Sequence, residues 1–499
     1  MILGRWTRDG SRVLAGPDET RLSPRVLAVA AMLAVAASAQ VQIKPDPLEY
    51  KPSEVADQQH YRQPLRPQFH YTPIQGHIGD ATGLIYYAGE YHLFNMFDAW
   101  SQKRMAHKQW GHAVSTDLIH WTQLPGLLDK LLDNSPGSGS GVVDWNDSSG
   151  LRAGPEKTLV IFYTDYKLGS CIAYSRDRGR TWTRYGKNPV IGGADDARDP
   201  TVFWYTPASE WRMVRYEKQG FAFYKSTDLL HWTWLSHIDG FYECPDMVEL
   251  PIVNLPGERR WVLINATGQY MIGTFDGTKF TPQTDKLRVE YGKSLYAGQV
   301  WKKTPEGGPP AYQVFWMRYP ETPRLSWIHQ VSFPTELTLR SFPEGIRLCR
   351  QPIDEIDNLR IAQKRFRDIE AGAGHTPLDI AGDLLDLRVE LAPSTATTFG
   401  LTVRGHQISY STVSQKLRVG AVEAPLKLNA GKLRLRILID RPSIEVFADE
   451  GQVSISQVVL EQKSAPAPNQ GASLDAEGGK VRLVSLEANR LESIWAGHP

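Results

Sequence analysis

Cysteine is scarce in this chain, with 3 among 499 residues. An odd number leaves at least one thiol unpaired within a single molecule, and so few exclude a disulfide framework. Packing alone has to hold the core. A surplus of charge is missing too: 56 Lys and Arg face 55 Asp and Glu, for a formal net charge of +1. That removes the electrostatic case for a nucleic-acid partner, which needs a basic stripe or excess. There is no Walker loop and no glycine-rich strand-to-helix turn, so no nucleotide fingerprint is present. Long apolar runs are absent apart from "VLAVAAMLAVA" near the N-terminus. That run is shorter than the about 20 residues of a spanning helix, and no membrane span is expected in the mature chain. Arg21 and Arg25 precede it and "ASAQ" follows it. This is the pattern of a secretory signal over 1–39, with cleavage expected after Ala39 and a secreted or periplasmic product.

What is plentiful points the other way. The chain holds 42 glycines and 15 tryptophans, a composition suited to an all-β protein that handles an uncharged ligand. Its length predicts two domains.

An internal repeat locates the first. "STDLIHW" at Ser115 to Trp121 returns as "SRDRGRTW" at Ser175 to Trp182 and as "STDLLHW" at Ser226 to Trp232. Each copy follows a short alternating strand. Ser-x-Asp closes hydrogen-bonded turns, and the tryptophan after it is read as a hairpin cap. Units recurring every about fifty to sixty residues, each of several short strands, are what a β-propeller needs. The expectation is a five-bladed β-propeller over 40–352, a connector with some helix over 353–377, and a β-sandwich over 378–499. The sandwich is read from "LDLRVELA", "FGLTVRG", "HQISYST", "LRLRILID", "SIEVFADEG" and "KVRLVSLEA", alternating segments broken by Gly, Asn and Pro.

In a propeller, chemistry gathers where strand ends from different blades meet at the axis. Three acids fit that placement: Asp80 in "GDATG", Asp199 in "ARDPTVFW" and Glu243 in "YECPDMVEL". Taken singly, each is an ordinary turn acid. Together, carboxylates in unlike environments are what retaining glycoside hydrolysis requires, one to attack and one to protonate the leaving oxygen. The neighbours Tyr242 and Cys244-Pro245 suggest that desolvation raises the pKa of Glu243, while Arg198 would keep an adjacent acid ionised. His112, His120 and His231 read as blade packing rather than metal ligands, and Cys244 as a structural thiol. Trp100, Trp110 and Trp316 are candidate sugar platforms.

These residues carry a family resemblance. "GDATGLIYYAGEYHLF", "WGHAVSTDLIHW", "SGSGVVDW", "RDP", "YECPDMVEL", "IGTFDG" and "WM" follow one another in the order seen in glycoside hydrolase family 32, the invertases, fructanases and levanases. "IDRPSIEVFADEG" is similar to that family's sandwich signature. The resemblance implies that Asp80 is the nucleophile, Asp199 the transition-state stabiliser and Glu243 the acid/base. Arg198, Ser138, Trp100 and Trp110 would bind substrate, with no metal or organic cofactor. The implied activity is cleavage of β-fructofuranosidic bonds, as in sucrose, inulin or levan, by double displacement in an exported hydrolase. The family's motif around the nucleophile is altered, however. Gly79 stands for its Asn, Ala81-Thr82 for Pro-Asn, and His77-Ile78 for Trp-Met. Met96 replaces a Gln that holds substrate, the usual pocket Trp falls at Met105, and Gly137 replaces a Phe. A site that loses hydroxyl contacts changes what it accepts. A fructosyltransferase or a non-catalytic carbohydrate-binding protein on the same scaffold are the alternatives.

Overall fold

A computed structural model describes residues 42–43, 61–99, 108–127, 136–193, 196–302, 308–318, 325–459 and 471–495. The expected signal segment, Met105 and Trp100 lie outside them. Five largely antiparallel sheets form a β-propeller, and two six-stranded sheets form the C-terminal β-sandwich.

The blades open with inner strands Gly76–Tyr87, Pro136–Asp144, Arg198–Tyr205, Asp246–Pro251 and Leu295–Trp301. Each is followed outward by antiparallel strands, hairpin-connected in the first four blades. The repeat occupies the same corner in three blades, between the third and fourth strands. In each copy the Asp N–H donates to the Ser hydroxyl, and the indole N–H donates to a carbonyl three residues back: Trp121 to Leu118 at 3.1 Å, Trp182 to Gly179 and Trp232 to Leu229 at 3.0 Å. The cap reading of these tryptophans holds. In the fourth blade Asp276 alone keeps the turn, accepting from the N–H groups of Thr278 and Lys279.

Polar groups tie the inner strands to one another. The Thr82 hydroxyl donates to Gly139 O at 2.7 Å, and Val202 N donates to Ser140 Oγ at 3.0 Å. Thr201 Oγ1 donates to Pro245 O at 2.6 Å, and Val300 N donates to Asp246 Oδ2 at 2.8 Å. Gln299 Nε2 completes the set, donating to Gly139 O at 2.6 Å. All five blades are thereby linked at one level of the axis. The short strand Trp327–Ile328, drawn from the fifth blade's connection, pairs in parallel with Gly76 and His77 of the first and helps close the ring.

The segment expected as a connector, 353–377, departs from that reading. Only Asp354–Leu359 is helical, as a single 3-10 stretch. Arg360–Ala371 is a strand paired along its length with Val481–Leu491, and Gly374–Leu378 is an edge strand of the second sandwich sheet. Its charges misled because it is an edge strand with most side chains in solvent, so alternation is masked by Arg, Lys and Asp. Leu387, Phe399, Leu401, Ile437, Val446, Leu474 and Leu483 fill the space between the sandwich sheets.

The two modules share a core in which Phe69, Phe333 and Ile356 pack with Leu438 and Phe447. A buried ion pair crosses the same boundary. His70 Nδ1 is 2.8 Å from Asp440 Oδ2, and its Nε2 is 2.8 Å from Glu445 Oε2. Burial opposes a charge on His70, but the hydrogen bonds it donates to both carboxylates prevail and its pKa is pushed up to about 9.

Candidate active site

All five inner strands run in the same sense, so their N-terminal ends gather at one mouth of the axis. Four of them break register there. The shifts fall between Ile78 and Ala81, Gly137 and Gly139, Arg198 and Thr201, and Tyr296 and Gln299. A bulge re-aims the side chain it carries, and these bulges carry Asp80, Ser138 and Asp199. In the fourth blade the turn before the inner strand does the same work. Glu243 and Cys244 have φ of 49° and 42°, and Asp199 has φ of 56°. Left-handed backbone at non-glycine residues is costly and persists where the surroundings enforce it. Here it turns two of the three acids inward.

The structure therefore brings Asp80, Asp199, Glu243, Arg198 and Ser138 together. Ser138 Oγ donates to Asp80 Oδ2 at 2.7 Å. The Cys244 thiol sits between two acids, with Sγ 3.5 Å from Asp199 Oδ2 and 4.0 Å from Asp80 Oδ2. Cys244 N donates to the same Asp199 oxygen at 3.1 Å. Asp199 is 4 % exposed; burial and the charge of Asp80 push it up to about 7, against the Cys244 N–H and Arg198. Burial also raises Asp80, with Ser138 opposing and Glu243 adding to the rise. The thiol itself is held well above its usual range by burial and the acids around it, which suits a structural group.

Glu243 differs from its expected setting. It is not enclosed by apolar neighbours: its side chain is 21 % exposed, and Arg198 Nε donates to Oε1 at 3.0 Å. The Tyr296 hydroxyl donates to Oε2. Arg198, itself stacked over Tyr216 at 4.2 Å, stands at the bulge that carries Asp199 and donates to Asp196 as well as to Glu243.

Trp110 is not a platform. It is fully buried, its indole N–H donates to Gly137 O at 3.1 Å, and it packs on Phe94 and Tyr163. Gly83, at φ 61°, leaves room for it: a Cβ there would come within 2.9 Å of the Trp110 ring. Met96 is buried in the same cluster. Trp316, by contrast, is only partly buried and stands beside Tyr296 and His329. His112 does pack inside its blade, stacked on Phe94 and bonded to His92, and His120 and His231 bind the repeat's own Asp117 and Asp228.

Several site residues escaped the sequence reading. Tyr296 lies in an unremarkable strand, "SLYAGQVW". Arg318 follows Trp316-Met317, stacks over Tyr296 at 4.5 Å, and with Lys108 stabilises the charge of Asp80. His329 meets His77 edge-on at 4.7 Å; burial and the nearby His77 and Arg318 lower its pKa to about 3, so it is neutral. Tyr166 lies over Gly137: a Cβ on that glycine would come within 2.8 Å of the Tyr166 hydroxyl. Tyr166 is 60 % exposed.

Three isolated acids on separate blades, presented at one mouth of a five-bladed propeller beside a sandwich, restrict the family sharply. The sequence profile of the glycosyl hydrolases family 32 N-terminal domain matches residues 70–352, and that of the family's C-terminal domain matches 355–490. The chain belongs to glycosyl hydrolases family 32. Among family 32 relatives, the levanase of Bacillus subtilis (strain 168) is 35% identical over 501 residues, covering 90% of this chain and 73% of that protein. The extracellular exo-inulinase of Aspergillus awamori is 27% identical over 522 residues, covering 87% of this chain and 96% of the relative. Its crystal structure superposes with a TM-score of 0.77 at 25% identity, over 87% of this chain and all of that one. Fructan 1-exohydrolase IIa from Cichorium intybus shares the fold, with a TM-score of 0.74 at 21% identity over 86% of this chain and 98% of its own.

Proposed function

We propose that the protein is an exported glycosidase that hydrolyses β-fructofuranosidic bonds in sucrose or fructans with retention of configuration. The observation that carries this is the convergence of Asp80, Asp199 and Glu243 from three blades onto one mouth, each held by named partners. The levanase and exo-inulinase relatives support the substrate class. The basic, apolar and small-residue pattern around 21–40 supports export, as does the extracellular exo-inulinase.

In this reading an oxygen of Asp80 forms a bond to C2 of a β-fructofuranosyl unit. The bond from C2 to the leaving oxygen breaks, and that oxygen takes the proton of Glu243. A water then attacks C2 and gives its proton to Glu243, the ester to Asp80 breaks, and fructose leaves. Arg198 and Tyr296 fix both oxygens of Glu243 in orientation. Asp199 accepts from fructose hydroxyls and stabilises the charge developing on the ring. Tyr166 offers its exposed ring to an apolar sugar face.

Asp80→Asn and Glu243→Gln test the roles. Both should lose sugar release from levan, inulin and sucrose by at least about 10³-fold, with melting temperatures close to the parent's. Wild-type rates in either variant would overturn the assignment.

A further inference from the structure

Beyond the ties that link the inner strands, the same strands continue to the opposite face of the propeller. There they enclose a cavity of about 360 Å³ to which all five blades contribute. Ser140 and Gln299 form its roof, and both are engaged in the inter-blade ties. Asp80, Asp199, Glu243, Arg198 and Ser138 all lie outside its lining. The cavity is therefore separate from the candidate active site, across a level of bonded polar groups.

Its wall has a particular chemistry. Tyr86, Trp145, Trp204 and Trp261 present partly exposed rings. Charged groups are present but already paired: Lys302 Nζ is 2.6 Å from Asp246 Oδ1, and Arg259 Nε is 3.0 Å from Glu249 Oε2. A wall with internally balanced charge offers little to an ion, while its donors and acceptors remain next to aromatic faces. Rings with a few fixed polar groups, in a cavity within the roughly 300–1,000 Å³ of small-molecule sites, suit a ligand with apolar faces and hydroxyl edges. An uncharged sugar has both.

We infer that this cavity is a second carbohydrate site, which takes one or two uncharged sugar units and does not cleave them. On a polymer it holds a chain other than the one in the active site, which raises the local concentration of substrate. The polymer role rests on the fructan-hydrolase reading; the binding itself does not.

The test uses the full chain with Asp80→Asn to suppress turnover, titrated calorimetrically with sucrose and with a fructose-terminated trisaccharide. Two sites per chain are expected. Adding Trp204→Ala, or Val142→Phe, which fills the cavity without removing a ring, should leave one site with its affinity unchanged within about twofold. In the otherwise wild-type chain, Val142→Phe should raise KM for levan or inulin polymer by about tenfold and leave kcat/KM for sucrose unaltered. Melting curves that match the parent's establish that Val142→Phe is folded. Isotherms unchanged by Val142→Phe overturn the inference. Absence of fructan turnover in the wild type, with the cavity-dependent site still present, overturns the polymer role and the proposed activity but not the sugar site.

Discussion

Ser138 Oγ donates a 2.7 Å hydrogen bond to Asp80 Oδ2 across the seam between the first and second blades. Burial pushes the Asp80 carboxyl up, and this hydroxyl is the first influence opposing it. Hydrogen bonding to the charged form favours that form, and a nucleophilic carboxylate has to be ionised. Ser138→Ala should therefore move the acidic limb of the kcat/KM profile to higher pH. Activity below that limb should fall. Rate profiles of the two proteins between pH 4 and 8 measure it.

Asp199, pushed up to about 7, makes a prediction of opposite kind. Its ionised form is disfavoured in the fold relative to the unfolded chain. The protonated group is the one the fold accepts, so stability declines as pH rises from about 4 to about 7. Asp199→Asn cannot ionise. At pH 8 it should melt roughly 2–5 °C above the parent, with the gap closing toward pH 4, while turnover drops at least about 10²-fold. Calorimetric scans at both pH values, beside a sucrose assay, check the two halves.

At the module boundary His70 is a buried cation held by Asp440 and Glu445. With its pKa raised to about 9, the stability it contributes is complete below about pH 6.5 and is lost as pH rises through about 9. His70→Gln leaves two buried carboxylates without their counter-ion and should cost about 3–5 kcal/mol near pH 7. The parent's melting temperature should fall between pH 7 and 10 by an amount the variant does not show. Urea unfolding at several pH values reads both effects.

Trp110 belongs to the core rather than to the sugar. Trp110→Ala should destabilise the propeller by about 3–5 kcal/mol. Trp110→Phe should keep KM for sucrose within about twofold of the parent at a temperature where both are folded. A tenfold rise in KM for Trp110→Phe would restore it to the pocket.

The fold was legible because its signals are local. Ser115, Asp117 and Trp121 specify one corner by themselves, and the corner recurs in three blades. The acids were legible for a different reason, as isolated carboxylates before apolar strands. Their partners were not. Tyr296, Arg318, Tyr166 and His329 reach the site only through bulges and neighbouring hairpins, and nothing in their immediate sequence marks a bulge. The positive φ at Asp199 and Glu243 is likewise silent, since neither residue is a glycine. Trp110 misled because its burial depends on Gly83, which lies on another strand and is distant in sequence. Residues 360–371 misled because a strand at a sheet edge, with most of its side chains in solvent, has the composition of a linker.

The grip of Asp440 and Glu445 on His70 bears on how such proteins recombine. Asp440 also accepts from the backbone N–H groups of Gln68 and Phe69, so one end of the lock is the His70 ring with two main-chain N–H groups and the other is two side chains from adjacent strands. A chimera that exchanges only the sandwich between relatives would inherit half of this lock. Segments 68–70 and 440–445 would have to travel together, although 369 residues of chain separate the first grip, at Gln68 to His70, from the second (370 positions from His70 to Asp440). Crossover points that respect the visible module boundary would still sever it.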